Sequence, residues 1–270
     1  MSPSQYDHIT KARVVYTMPG VDAVTIRPDV EYRAAEAGAL TMDLYYPPDS
    51  KSGTRTPALI FVTGYRDPGA RQMLGCALKE MGSYISWAQL AAASGIVAIT
   101  YTNSEPAADV HAVLQHVRQN AASLNIDANR IGVWSGSGNV PTALSVLMQE
   151  PHDSLKCAVL CYGYTLDLDG STGVAAAAWQ WGFLNPCAGK SVADLPRDIP
   201  LFVARAGQDQ TPGLNDALDR FLGQALTCNL PVTFVNHAEG PHAFDLFHDS
   251  ETSREIVRQI LAFLQFHLLA

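Results

Sequence analysis

The chain has no apolar run approaching the roughly 18 residues of a membrane span, no block of lysine and arginine, and no C-x-x-C pair. The first absence argues against a membrane-crossing helix. The second, with a formal net charge of -8, argues against nucleic acid or another polyanion as partner. The third leaves Cys76, Cys157, Cys161, Cys187 and Cys228 as an odd set without metal or redox spacing, which reads as reduced thiols. Residues 1–10 lack the basic end and apolar stretch of a secretory leader, so a cytoplasmic location is expected.

What is present suits a large core. Apolar residues make up 47% of the 270, far from the composition of disordered chains, and one α/β domain over residues 1–270 accommodates them. Alternating apolar residues at 23–27 and 40–46 predict antiparallel strands at a sheet edge. From residue 57 the pattern changes. Continuous apolar runs at 57–62, 96–101, 130–134, 155–161, 199–204 and 231–236 have strand length, and helical patterns at 78–93, 107–124, 140–148, 215–226 and 250–269 fall between them. That alternation implies a mostly parallel sheet with helices on both faces and a site beyond the C-terminal strand ends. One long interruption, 162–197, carries Trp179, Trp181 and Phe183; it reads either as a small cap that walls a pocket or as a surface excursion with its own minor core.

The run Arg130-Ile-Gly-Val-Trp-Ser-Gly-Ser-Gly-Asn-Val140 ends a strand, turns on small residues and opens a helix. A serine on such a turn is exposed beyond the sheet edge, with the amide after it at a helix N-terminus. Two serines compete. Small residues are needed two before and two after the nucleophile; Ser137 has Ser135 and Asn139 there, whereas Ser135 has Val133, so Ser137 is preferred. Asn139 is the bulkier departure from G-x-S-x-G, and the alternative is a plain turn with a capping serine.

A serine hydroxyl needs a base, and the base needs an acid. His242, after Gly240-Pro241 in the loop that follows the last strand, is the candidate base, and His237 is expected to shape that loop. Asp209, in the loop after the strand at 199–204, is the candidate acid; its alternative is an Asx turn ahead of Pro212, and Asp216 is the fallback. His111 and His116 fall in a helix, and His8, His152 and His267 receive no role. The spacing of His237, His242 and His248 matches no usual metal-ligand pattern. Oxyanion donors are expected at the Gly138 amide and in Thr63-Gly64-Tyr65-Arg66, at the amide of Tyr65 or, second, Arg66.

The order Ser137, Asp209, His242, each just past a strand, together with Asp43-Leu-Tyr-Tyr-Pro47, Gly207-Gln-Asp209 and His242-Ala-Phe244, resembles the α/β-hydrolase superfamily, in its serine esterase and dienelactone-hydrolase-like group. The resemblance implies a central sheet of about eight strands, a Ser-Asp-His triad, Tyr65 and Gly138 as oxyanion donors, and no cofactor or metal. Two positions depart from the pattern: the His-Gly-Gly loop of related esterases is Thr63-Gly64-Tyr65, and the nucleophile is serine where dienelactone hydrolases use cysteine. The expected function is a carboxylesterase acting on small or medium uncharged esters through an acyl-enzyme. The alternatives are another bond cleaved on the same triad (thioester, lactone, peptide or carbon-carbon) or a non-catalytic ligand-binding protein. Trp179, Trp181 and Phe183 are candidates for an apolar substrate wall, Trp87 a weaker one, and Arg66 for a substrate carboxylate. The partner is a small-molecule ester, with a homo-oligomer left open.

Overall fold

The structure, a computed structural model, describes residues 6–35, 38–48, 50, 53, 55–151 and 155–270, so His152 lies outside the described residues. Among the described residues eight strands form one open sheet: β1 (Thr25–Arg33), β2 (Leu40–Tyr46), β3 (Thr56–Phe61), β4 (Val97–Tyr101), β5 (Ile126–Gly136), β6 (Cys157–Cys161), β7 (Leu201–Ala206) and β8 (Val232–His237). Their order across the sheet is β1-β2-β4-β3-β5-β6-β7-β8. β1 and β2 run antiparallel at one edge and everything from β4 onward is parallel, as expected. The first strand runs further than its alternation indicated, because a bulge at Pro28-Asp29 interrupts the pattern without ending the pairing; Asp29 sits at φ +53° there.

The helices are α1 (Asp7–Thr10), α2 (Asp67–Leu74), α3 (Gly82–Ala93), α4 (Pro106–Gln119), α5 (Val140–Gln149), α6 (Val174–Trp181), α7 (Leu214–Thr227), α8 (Phe244–Phe247) and α9 (Glu251–Leu269). Strand side chains alternate between two cores. Ala58, Ile60 and Val133 face α4, α5 and α7, while Leu59, Phe61 and Trp134 face α3 and α9. This double coverage explains why the parallel strands read as unbroken apolar runs. The helical pattern at 78–93 resolves into a 3-10 turn, Leu78–Glu80, and α3; Met81 is extended between them, with ψ 143°, and Gly82 packs against the backbone carbonyls of Lys11 and Ala12. None of the helices among the described residues is long and apolar enough to cross a membrane.

The connection between β6 and β7 holds α6 and two short 3-10 turns, Leu168–Gly170 and Val192–Asp194. Val174, Ala177 and Ala178 of α6 pack with Tyr164, Phe183 and Leu214 in a small third core. Its backbone reaches the loop after β3, where the Leu184 N–H donates to the Gly64 carbonyl at 2.9 Å.

Candidate active site

Strand β5 ends at Gly136, and the next residue turns the chain into a 3-10 turn, Ser137–Asn139, followed directly by α5. Ser137 is held at φ +57°, a left-handed conformation that a serine adopts only when its surroundings impose it. The competing serine has no such position. Ser135 is wholly buried within β5 and faces no solvent.

The loops after β7 and β8 bring Asp209 and His242 to this turn. Ser137 Oγ lies 2.9 Å from His242 Nε2, and His242 Nδ1 lies 2.6 Å from Asp209 Oδ2. With the carboxylate accepting the Nδ1 proton, Nε2 is left as the acceptor for the serine hydroxyl. Burial opposes ionisation of Asp209, yet the hydrogen bonds and charge of His242 and the bonds from Thr211 outweigh it and hold the carboxyl below its ordinary range. The Asx turn weighed as an alternative is also present: the Thr211 N–H donates to Asp209 Oδ1 at 2.9 Å. One oxygen fixes the loop and the other fixes the imidazole. The two loops are tied together by Gln208 N–H to the Gly240 carbonyl and Gly207 N–H to the His237 carbonyl, each 2.9 Å.

His237 turns inward. Its Nε2 lies 3.0 Å from Ser253 Oγ at the start of α9, its carbonyl accepts from Gly240 N–H, and burial lowers its pKa. The structure therefore separates the two histidines of this loop. Among the described residues no group of three or more His, Cys, Asp or Glu side chains is gathered as a metal site requires.

On the other side of Ser137, Gly138 is pressed against the loop after β3. A Cβ there would stand 2.4 Å from Tyr65 Oη and 2.7 Å from the Phe183 ring, so only glycine fits. The Tyr65 ring meets Phe183 edge-on at 6.0 Å, and Phe183 stacks on Tyr164 at 5.2 Å. Burial pushes the Tyr65 phenol up to about 12. As an early residue of a helical turn, Gly138 has an N–H that the helix itself does not use. The peptide joining Gly64 to Tyr65 has its carbonyl bonded to Leu184, so the Tyr65 N–H points the opposite way, away from Leu184.

No protein-family model matches the sequence. No curated protein matches it. Solved structures do. An esterase of Rhizomucor miehei superposes with a TM-score of 0.70 at 16% identity, covering 98% of this chain and 88% of its own. Esterase 2 of the planctomycete Thermogutta terrifontis gives 0.64 at 17%, over 92% and 95%; it has been solved with propionate and with butyrate bound. An α/β-hydrolase enzyme from the metagenome of Lake Arreo gives 0.69 at 19%, over 93% and 87%. The chain has the α/β-hydrolase fold. None of these three is named a dienelactone hydrolase, so the narrower part of the sequence resemblance gains nothing from them.

Of the remaining residues singled out in the sequence, the α/β-hydrolase scaffold brings only Phe183 to the site. Trp179 is 90% exposed and Trp181 50%, because α6 turns Val174, Ala177 and Ala178 inward and leaves these rings outside its small core. Arg66 is exposed and paired with Glu105 at 2.7 Å. Trp87 is core: it is buried and its Nε1–H donates to Asp245 Oδ2 at 2.7 Å. Two residues at the site, Tyr162 and Asn103, have no signal in the sequence, and a third, Asn139, shows there only as a departure from G-x-S-x-G. Tyr162, at φ +36°, packs its ring against His242 at 5.3 Å. Asn103 donates from Nδ2 to Thr63 Oγ1 and to the Tyr65 carbonyl, both at 3.0 Å. Asn139 bridges two loops, as described below. Tyr162 acts through ring packing and the two asparagines through side-chain hydrogen bonds between loops distant in sequence, for which no local spacing stands as a signal.

Proposed function

We propose that the protein is a serine hydrolase, a carboxylesterase cleaving small or medium uncharged esters. The observation that carries this reading is the continuous chain Ser137 Oγ, His242 Nε2, His242 Nδ1, Asp209 Oδ2, with links of 2.9 and 2.6 Å, on a strained elbow. Ser137 attacks the ester carbonyl carbon while His242 takes its proton. The oxyanion is met by the amides of Gly138 and Tyr65. Collapse of the intermediate expels the alcohol, which receives the proton from His242 and leaves an acyl-enzyme. Water, deprotonated by the same imidazole, then releases the acid and restores the serine. Asp209 keeps the imidazole in the required tautomer and stabilises its protonated form.

Two features support the substrate class. Arg66 is already neutralised by Glu105, so the oxyanion loop offers no free cation for a charged ester. The packed rings of Tyr65, Tyr164 and Phe183 beside Gly138 make a short apolar wall, suited to small acyl groups such as the propionate and butyrate held by the Thermogutta esterase. The segment 162–197 serves as the cap that carries this wall, with Phe183 rather than the two tryptophans as its working part.

Labelling with a fluorophosphonate followed by peptide mapping tests the reading. Modification at Ser137, with turnover of p-nitrophenyl butyrate abolished in Ser137→Ala, is expected. Equal turnover by wild type and variant would discard the esterase.

A further inference from the structure

The geometry points to Asn139 as a positioning residue that fixes the oxyanion loop to the nucleophile elbow through its carboxamide. The inference deepens the serine-hydrolase reading and rests on it. The two oxyanion amides come from different segments, Gly138 from the turn after β5 and Tyr65 from the loop after β3, and they must keep a fixed mutual distance to work as a pair.

Strands β3 and β5 are parallel neighbours, and their ladder continues one step past β3, where the Val62 N–H donates to the Trp134 carbonyl at 2.8 Å. Beyond that rung the link across the gap is a side chain. The Gly64 N–H donates to Asn139 Oδ1 at 2.7 Å, and Asn139 Nδ2 donates to the Gly136 carbonyl at 2.9 Å. A carboxamide offers one acceptor and donors in the same plane, as a peptide group does, so Asn139 continues the ladder by one further rung. Asn139 is 8% exposed, and the atoms around Gly64 are too close for any other residue: a Cβ would lie 2.8 Å from the Gly138 carbonyl and 3.0 Å from Asn139 Cα.

The consequence falls on Tyr65. Its neighbour Gly64 is held at both polar atoms, the N–H by Asn139 and the carbonyl by Leu184. Fixing that carbonyl fixes the direction of the Tyr65 N–H across the same planar peptide. Without the Asn139 acceptor a buried N–H loses its partner, and the loop gains a reason to turn. The residue that departs from G-x-S-x-G thus supplies a bond that glycine at the same position lacks.

The test compares wild type with Asn139→Gly and Asn139→Ala on p-nitrophenyl butyrate, with thermal melting alongside. We expect kcat to fall about 10- to 100-fold with KM changed less than about threefold and the midpoint of the pH–rate profile unmoved, because the Ser137–His242 pair is undisturbed. A folded variant with kcat within about threefold of wild type, or a kcat loss accompanied by a displaced pH midpoint, overturns the inference. Hydrogen exchange of the Gly64 amide in the wild-type protein reads the same bond without any variant; strong protection is expected, and exchange at loop rates overturns it. If wild type is inactive and Ser137 unlabelled, the hydrolase reading itself fails, an outcome distinct from an active enzyme indifferent to Asn139.

Discussion

The two sides of Ser137 are built by different means. On the base side, side chains bond to side chains: Ser137 to His242, His242 to Asp209. On the side proposed to hold the oxyanion the groups assigned to it are backbone amides, and side chains brace the loop that carries them, Asn139 on Gly64 and Asn103 on Thr63 and Tyr65. The first construction concentrates its chemistry in three residues. The second distributes it over packing and bracing hydrogen bonds, so its members matter for the position they hold rather than for contact with the reacting atoms.

The largest effects therefore belong to the base side. Ser137→Ala and His242→Ala should each lower kcat by about 10³-fold or more, and Asp209→Asn should follow closely, because the wrong tautomer leaves Nε2 unable to accept. His237→Ala should keep kcat within about tenfold while lowering the melting temperature, since its bonds run to Ser253 and Gly240 rather than to Ser137. Steady-state kinetics on p-nitrophenyl butyrate checks all four. A reversed ranking of the histidines would remove the comparison altogether.

This asymmetry also explains what the sequence disclosed. Ser137, Asp209 and His242 are distinctive residue types, each just after an apolar run, so the meeting of these three side chains was legible, while their roles in turnover belong to the proposal. The parallel sheet was legible for the same reason, with strands β3 to β8 read within a few residues at most ends. The oxyanion side was legible only as a location. Tyr65 and Gly138 were named from their place after β3 and after Ser137, but the Asn139 bridge depends on two loops meeting 75 residues apart, and local spacing carries no record of that. The tryptophans of α6 show the opposite error: an aromatic cluster signals a pocket only if the helix turns it inward, and the alanines beside it took that face.

The next effects sharpen the shape argument. Gly138→Ala should lower kcat about 10- to 100-fold, because the added methyl meets Tyr65 Oη and the Phe183 ring. Pairing it with Phe183→Ala should recover part of the loss. Tyr65→Phe should leave kcat within about threefold if the amide rather than the phenol meets the oxyanion; a large loss would turn the oxyanion side into a second side-chain construction. Smaller still is the effect on selectivity. Phe183→Ala should raise hexanoate over acetate turnover by about an order of magnitude or less, the range open to a few methylenes in an apolar pocket, whereas Trp179→Ala with Trp181→Ala should leave that ratio unchanged.

The smallest prediction concerns stability, and it distinguishes two carboxyls on the base side. Asp245, three residues after His242, is buried, and burial raises its pKa from the ordinary 3.8 against the opposing hydrogen bonds of Tyr162 and Trp87. Asp209 is shifted in the other direction. A raised carboxyl keeps its proton in the folded state while the unfolded chain has released it. Its contribution is therefore full below pH 3.8 and is lost as pH rises through the folded value. A lowered carboxyl contributes fully above that ordinary value and loses its part only as pH falls further. Urea unfolding between pH 4 and about pH 5.5, below the ordinary histidine range, separates the two. The stability of Asp245→Asn relative to wild type should climb with pH, because the amide keeps an acceptor for the Trp87 Nε1–H and carries no charge to bury. That of Asp209→Asn should stay level over the same range, having reached its full deficit at the acid end. Parallel curves for the two variants would mean that Asp245 ionises as freely as a surface carboxylate, and that the base side carries no buried acid beneath it.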